Sequence, residues 1–206
     1  MKVSDGYGVT MGNREELLAG AKRCLIEKGY AATTARDIAS ASGVSLAAIG
    51  YHFGSKDALL NQAIYELIGE WGDEVQRALA EEGAPADDPV RRFESIMDRT
   101  IASFGTGRGL WVAQLELLSL VGHNEELRAF LASVQGDAAE GLAELFLGID
   151  PAQDPESARK AGSVLHAIFI GVMAKWFMGP KEALSARELA EGMQIIAEHM
   201  AAGQQR

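Results

Sequence analysis

Residues 34 to 60, TARDIASASGVSLAAIGYHFGSKDALL, constrain the fold more than any other stretch, because they carry in order each device needed to set one short helix across another. Thr34-Ala35-Arg36-Asp37 is a capping box: the Thr34 hydroxyl satisfies an orphan amide of the first turn, and Asp37 reaches back. A helix therefore starts at Thr34 and carries Ile38 and Ala39 inward. It ends at Gly43, whose freedom at positive φ turns the chain sharply. Ser45 is placed to cap a second helix anchored by Val44, Ile49 and Phe53, while small Ala39 lets the two backbones approach. Alanine, glycine four residues later and isoleucine six after that is the spacing of a helix-turn-helix.

The rest of the chain shows helical periodicity, with no alternating strand pattern and no internal repeat. The fold class is therefore all-α. A fourth helix is expected from Lys56 to about Glu82, with apolar residues at three- and four-residue steps from Leu59 to Val75. The turn-forming run GAPADDP follows, and Pro89 opens a fifth helix that reaches Phe104. Gly105 to Gly109 reads as a flexible helix connection, since no strand precedes it as a phosphate cradle would require. Leu110 to Gly122 is apolar nearly all round and reads as a central helix. A long helix from Glu125 to Leu147, capped by Asn124 and weakened at Gly136 and Gly141, comes next. The last two helices are expected at about Glu156 to Met178 and Ser185 to Ala202.

Several chemistries are excluded. The four histidines, His52, His123, His166 and His199, are scattered, and no nucleophile elbow, phosphate-binding lysine loop or zinc-binding histidine pair occurs. An enzyme, a bound metal and a cofactor are not expected. The single cysteine, Cys24, forms no internal disulfide, fits a reducing cytoplasm, and lies in a helical stripe that makes it a small packing residue. The start MKVSDGYGVTMGN lacks the apolar run of a secretory signal. Val164 to Met178 is apolar apart from His166 and Lys175, but at 15 residues it is shorter than the roughly 20 needed to span a bilayer.

The residues of the helix-turn-helix resemble the amino-terminal domain of the TetR/AcrR family of transcriptional regulators. Similar proteins have a first helix, here about Asn13 to Lys28, followed by motifs that this chain writes as Gly29-Tyr30, Thr33-Thr34, Ile38-Ala39, Gly43-Val44, Tyr51-His52-Phe53 and Lys56. The resemblance covers residues 13 to 60 in detail and the remainder only in architecture. It implies a three-helix DNA-binding domain at residues 13 to 60 and a larger helical ligand-sensing and dimerisation domain at 61 to 206; residues 1 to 12 read by themselves as a disordered arm.

Two departures from the family pattern lie on the recognition helix. Leu46 and Ala48 stand where a polar residue is common, and Gly50 where an aromatic is, so direct base readout is thin. Leu46 and Ala48 are suited to thymine methyls, and Arg36 to a bidentate guanine contact. Thr34, Ser45, Tyr51, His52 and Lys56 are candidates for phosphate contacts, which position without specifying.

Net charge at first opposes a DNA partner, because it is −10 over 206 residues, 48% of them hydrophobic. Its distribution restores the reading. Residues 1 to 60 hold seven Lys/Arg and six Asp/Glu, a net of +1, which leaves −11 for the rest. A near-neutral DNA domain on an acidic body needs two half-sites for useful affinity. The apolar helices around Val164 to Met178 and Leu189 to Met200 supply a four-helix dimer interface.

The body offers Met97, Phe104, Trp111, Leu115, Leu118, Phe169, Met173 and Trp176 to line an apolar pocket, with Gln114, Glu116 and His166 as polar handles. Ordinary core packing and, for His166, a hydrogen-bonded core position explain the same residues. The expected function is a cytoplasmic, homodimeric, ligand-responsive transcription regulator, a repressor that binds a palindromic double-stranded DNA operator and is released by a small apolar effector. The alternative is a helical small-molecule-binding protein without operator specificity.

Overall fold

Capping side chains mark where the chain enters its helices. In the computed structural model, which describes residues 12–81 and 88–203, helix α1 spans Asn13–Lys28, α2 Ala35–Ser42 and α3 Leu46–Phe53. They are followed by α4 (Lys56–Glu81), α5 (Pro89–Thr106), α6 (Arg108–Leu120), α7 (Glu125–Leu147), α8 (Pro155–Met178) and α9 (Ala186–Gly203). No strand occurs among the described residues. Asp88, Asn124 and Asp154 each accept a hydrogen bond from a first-turn amide of the helix they precede. Ser185 and Glu188 form a capping box at α9. Residues 1 to 11 of the arm expected at 1 to 12, and most of the GAPADDP run, lie outside the described residues.

The first three helices are built as their local sequence dictates. The capping box of α2 is complete, with the Asp37 amide donating to the Thr34 hydroxyl and the Asp37 carboxylate accepting from the Thr34 amide. Gly43 closes α2 in the left-handed region at φ 72°. Thr33, the first of the threonine pair, turns inward and is fully buried, its hydroxyl donating to the carbonyl of Gly29 at 2.6 Å. Leu17, Ala21 and Leu25 of α1 join Ile38, Ile49, Leu59 and Leu60 in one core that runs on into the body. Cys24 is buried within it, and burial raises its thiol pKa, as befits a packing residue.

The body is a layered helical bundle whose tightest pair is α7 against α8. Gly162 permits that approach, since a Cβ there would stand 1.8 Å from the Ala139 carbonyl oxygen. Gly136 and Gly141 do not interrupt α7. The Gly105 to Gly109 run is not the flexible connection that its composition predicts. Gly105 and Thr106 continue α5, Gly107 alone makes the corner, and Gly109 already belongs to α6. Gly109 is required there by contact: a Cβ would fall 2.3 Å from the Ile26 carbonyl oxygen at the end of α1.

Helix α8, with its 24 residues, is long and apolar enough to cross a membrane by composition, although the Val164 to Met178 run alone is short. In the fold it lies along α7, burying Leu165, Phe169, Val172 and Met173. Its opposite side exposes Val164 and Met178, and α9, packed against α5, exposes Ile195, Ile196 and Met200 at 57%, 60% and 66%.

Candidate nucleic-acid interface

Helix α1 packs against α2, α3 and α4 and thereby sets the crossing of the helix-turn-helix. On the outer face of α2 and α3, Thr34, Arg36, Ser45, Leu46 and Tyr51 are exposed, while His52 and Lys56 are half-buried. Ala48 differs from expectation. It is half-buried and packs against the core, leaving Leu46 as the apolar side chain presented to a groove.

The cations of this unit are mostly engaged. Lys22 pairs with Glu66 and Glu70, Lys28 with Asp37, and Arg23 donates to the Ala41 carbonyl at the end of α2. Arg14 donates to Gln62 and lies over the Phe53 ring. Lys56 is drawn inward, its Nζ 3.3 Å from the Thr33 carbonyl and 3.0 Å from Asp57 Oδ1. Among the described residues of this unit, Arg36 is the cation left without an intramolecular partner. Such a guanidinium has all five donors available to a base edge or a phosphate.

Two hydroxyls behave differently from their sequence reading. Ser45 stands at the N-cap of α3 by backbone position, but its side chain makes no capping bond, so its hydroxyl remains available. Thr34 is the reverse: its hydroxyl donates to Asp37 Oδ2 at 2.6 Å and accepts from the Asp37 amide, which commits its one proton. The Lys28 ammonium, then Thr34, hold the Asp37 carboxyl well below the usual carboxylate range. Tyr51 is 85% exposed and meets His52 edge to face at 4.9 Å between centroids.

In the body, the expected pocket lining proves to be a packed aromatic cluster. Trp111, Phe104 and Phe169 surround one another at centroid distances of 5.4 to 6.1 Å, and Trp176 joins through Phe104 at 5.8 Å. Met97 and Met173 are also buried, Leu115 is half-buried, and Leu118 is exposed, so Leu118 cannot line an interior cavity. His166 is half-buried with no hydrogen-bond partner among the described residues, and desolvation lowers its pKa. Gln114 keeps a buried Oε1 without a partner there.

Open volume lies to one side, in a groove of about 650 Å³ between α4, α5 and α6. Trp111 is the expected residue that reaches it. Leu67, Trp71 and Val75 of α4 and Ala102 of α5 form its other apolar walls. Trp71 was legible only as a member of the apolar stripe of α4. Its edge-to-face contact with Trp111, 5.2 Å between centroids, joins residues 40 positions apart and leaves no local trace.

Glu116 is not a polar handle of the pocket. It turns away from the body's interior, and its Oε2 accepts from the backbone amides of Tyr30 at 2.7 Å and Ala31 at 3.1 Å, in the connection between α1 and α2.

Comparison with known proteins agrees with this geometry. Residues 17–63 match the family described as "Bacterial regulatory proteins, tetR family". The chain is 32% identical over 108 residues to the HTH-type transcriptional regulator BetI of Stenotrophomonas maltophilia, a match that spans about half of each protein, 51% of this chain and 54% of BetI. It is 47% identical over 47 residues to the HTH-type transcriptional repressor AcnR of Corynebacterium glutamicum, 23% of this chain and 25% of AcnR. The whole fold resembles the crystal structure of the TetR family repressor AlkX from Dietzia sp., implicated in biodegradation of n-alkanes. Its TM-score is 0.59 at 19% identity, covering 95% of this chain and 98% of AlkX. Residues 17–63 therefore carry the sequence of the DNA-binding region of the tetR family, and the chain as a whole shares the helical fold of solved structures such as AlkX.

Proposed function

We propose that this chain is a cytoplasmic transcription repressor that binds a palindromic double-stranded DNA operator as a homodimer and is released by a small apolar molecule. The observation that carries the reading is Arg36, unpartnered on the outer face of a helix-turn-helix in which the neighbouring cations are engaged. Around it, Ser45 and Tyr51 present exposed groups for phosphates, and Leu46 a surface for a thymine methyl. Residues 13 to 60 serve as the DNA-binding unit, and the remainder as the sensing and dimerisation unit.

The support for dimerisation is the set of exposed apolar residues on α8 and α9, which no other element covers among the described residues. Two such helices from each subunit make a four-helix interface. The effector enters the groove between α4, α5 and α6, against Trp71 and Trp111, and lowers operator affinity by favouring a body conformation that misplaces the paired α3 helices. Coupling of this kind is typically about 1 to 3 kcal/mol.

Selection of bound fragments from random duplex DNA tests the proposal. A recovered palindrome with one preferred spacing supports it. Retention of duplex without any shared sequence, abolished by moderate salt, would instead favour a helical small-molecule binder. The exposed run Leu46, Ala47 and Gly50, bare of hydrogen-bonding side chains, gives that second reading its footing.

A further inference from the structure

The α1–α2 connection is shaped to present amides. Gly29 takes φ +82°, a conformation that strains any L side chain, and a Cβ there would also stand 3.0 Å from Glu116 Oε1. The glycine thus turns the chain and leaves room for a carboxylate in one stroke. The amides of Tyr30 and Ala31 converge on Glu116 Oε2 at 2.7 and 3.1 Å, bonds strengthened by the charge of the acceptor. No cation pairs with Glu116 among the described residues, so these amides are its partners.

Seven residues earlier, about two turns along α6, Gly109 abuts the Ile26 carbonyl of α1. Helix α6 is therefore fixed across the end of α1 at two points. Near the first of them, Leu110 and Trp111 of the same helix wall the groove of the body, as does Ile26. On the other flank the hold is lighter: Ser55 donates to Glu126 Oε1 of α7 at 2.9 Å in an exposed position.

We infer that Glu116 is the positioning residue that fixes the orientation of the DNA-binding unit on the body, and through it the half-site spacing that the dimer accepts. The inference rests on the proposed dimeric DNA binding. Because Glu116 grips the backbone of the connection leading into α2, a small displacement of α6 is carried to the helix-turn-helix as a rotation of the whole unit. Two subunits rotated relative to their bodies change the distance between their recognition helices, which the operator reads as base pairs between half-sites.

The test uses the full-length dimer and the palindromic duplex recovered by selection, together with the same duplex carrying one added base pair between half-sites and a duplex with a single half-site. Wild type should prefer the recovered spacing by about tenfold or more. Glu116→Ala should reduce that preference to about twofold while binding the single half-site as wild type does. It should also speed hydrogen exchange at the Tyr30 and Ala31 amides. Glu116→Gln, which keeps a neutral acceptor, should retain most of the preference, and Glu126→Ala all of it. Should Glu116→Ala fail to fold, Glu116→Asp, shorter by one methylene, carries the same expectation.

A folded Ala or Asp variant that loses stability but keeps the full spacing preference overturns the inference and leaves dimeric DNA binding intact. A wild type indifferent to spacing overturns both.

Discussion

The helix-turn-helix and the exposed sides of α8 and α9 both lack an intramolecular partner among the described residues, yet they are chemically opposite. The first presents the Arg36 guanidinium, the hydroxyl-bearing Thr34, Ser45 and Tyr51, and Leu46, on a unit of near-neutral charge. The second presents Val164, Met178, Ile195, Ile196 and Met200. The contrast fits the two unlike partners proposed above, a hydrated polyanion for the first and a second apolar surface for the other. On the proposed function, the weak electrostatic attraction of one near-neutral unit for DNA would be compensated by joining two units through the apolar residues.

The largest expected effect asks whether the two regions are one folding unit. Trp111 is fully buried at the centre of the body's aromatic cluster, and Ile38 is fully buried in the helix-turn-helix. Trp111→Ala should cost about 3 to 5 kcal/mol and Ile38→Ala about 2 to 5 kcal/mol. Because both residues belong to one continuous core, each variant should shift a single urea transition. Two separated transitions would show that the regions fold independently.

The contrast between the faces is broken next by exchanging their chemistry. Ile196→Glu combined with Val164→Lys should leave the fold intact, since both side chains are exposed at 60%. It should weaken self-association by about 100-fold or more, roughly 2.7 kcal/mol, in sedimentation equilibrium. Leu46→Glu, on the other face, should leave the sedimentation mass unchanged and abolish operator binding. Met193 is a poorer site for such a test, because it is half-buried and packs against the core.

Within the DNA-binding face, Arg36→Ala should cost about 1 to 3 kcal/mol and relax preference at one base pair of each half-site. Lys56→Ala should act alike on all sequences, because its inward ties leave it at most one phosphate. Its signature is a salt slope reduced by about 1 per subunit, and an unchanged slope removes Lys56 from the phosphate contacts.

The smallest effect concerns the cap. Thr34→Ala should cost about 1 kcal/mol. Asp37, whose folded pKa is depressed first by Lys28 and then by Thr34, lends stability that is fully present above the unfolded carboxyl value of about 3.9 and is lost as pH falls toward its folded value. Stability should therefore be insensitive to this group from pH 7 to about 4 and decline below that. Asp37→Asn should remove that part of the acid limb in thermal melts followed by circular dichroism.

The two regions also differ in how far their sequence could be read. In the helix-turn-helix the determinants are local: Thr34 and Asp37 are three residues apart, and Gly43 ends its own helix, so α2 lies where its caps place it, and α1 and α3 where their apolar pattern does. In the body the decisive partners are distant. Gly109 is a glycine because of a carbonyl at Ile26, a reason invisible to anyone reading Gly105 to Gly109 as a loop. Glu116 reads from sequence as a polar handle of a pocket because its partners are backbone amides, which every residue but proline carries and which leave no mark in sequence. Phe104, Trp111 and Phe169 are buried and Trp176 is half-buried, and whether such residues line a space or fill it depends on how the helices cross.

The most direct test of the account is the affinity of the full-length protein for a duplex with both half-sites, compared with the same duplex in which one half-site is scrambled. The account predicts that two chains bind the intact duplex together and that scrambling weakens binding by about 100-fold or more, with Ile196→Glu plus Val164→Lys weak on both. Equal affinity for the two duplexes, or tight binding by that monomeric variant, would contradict it.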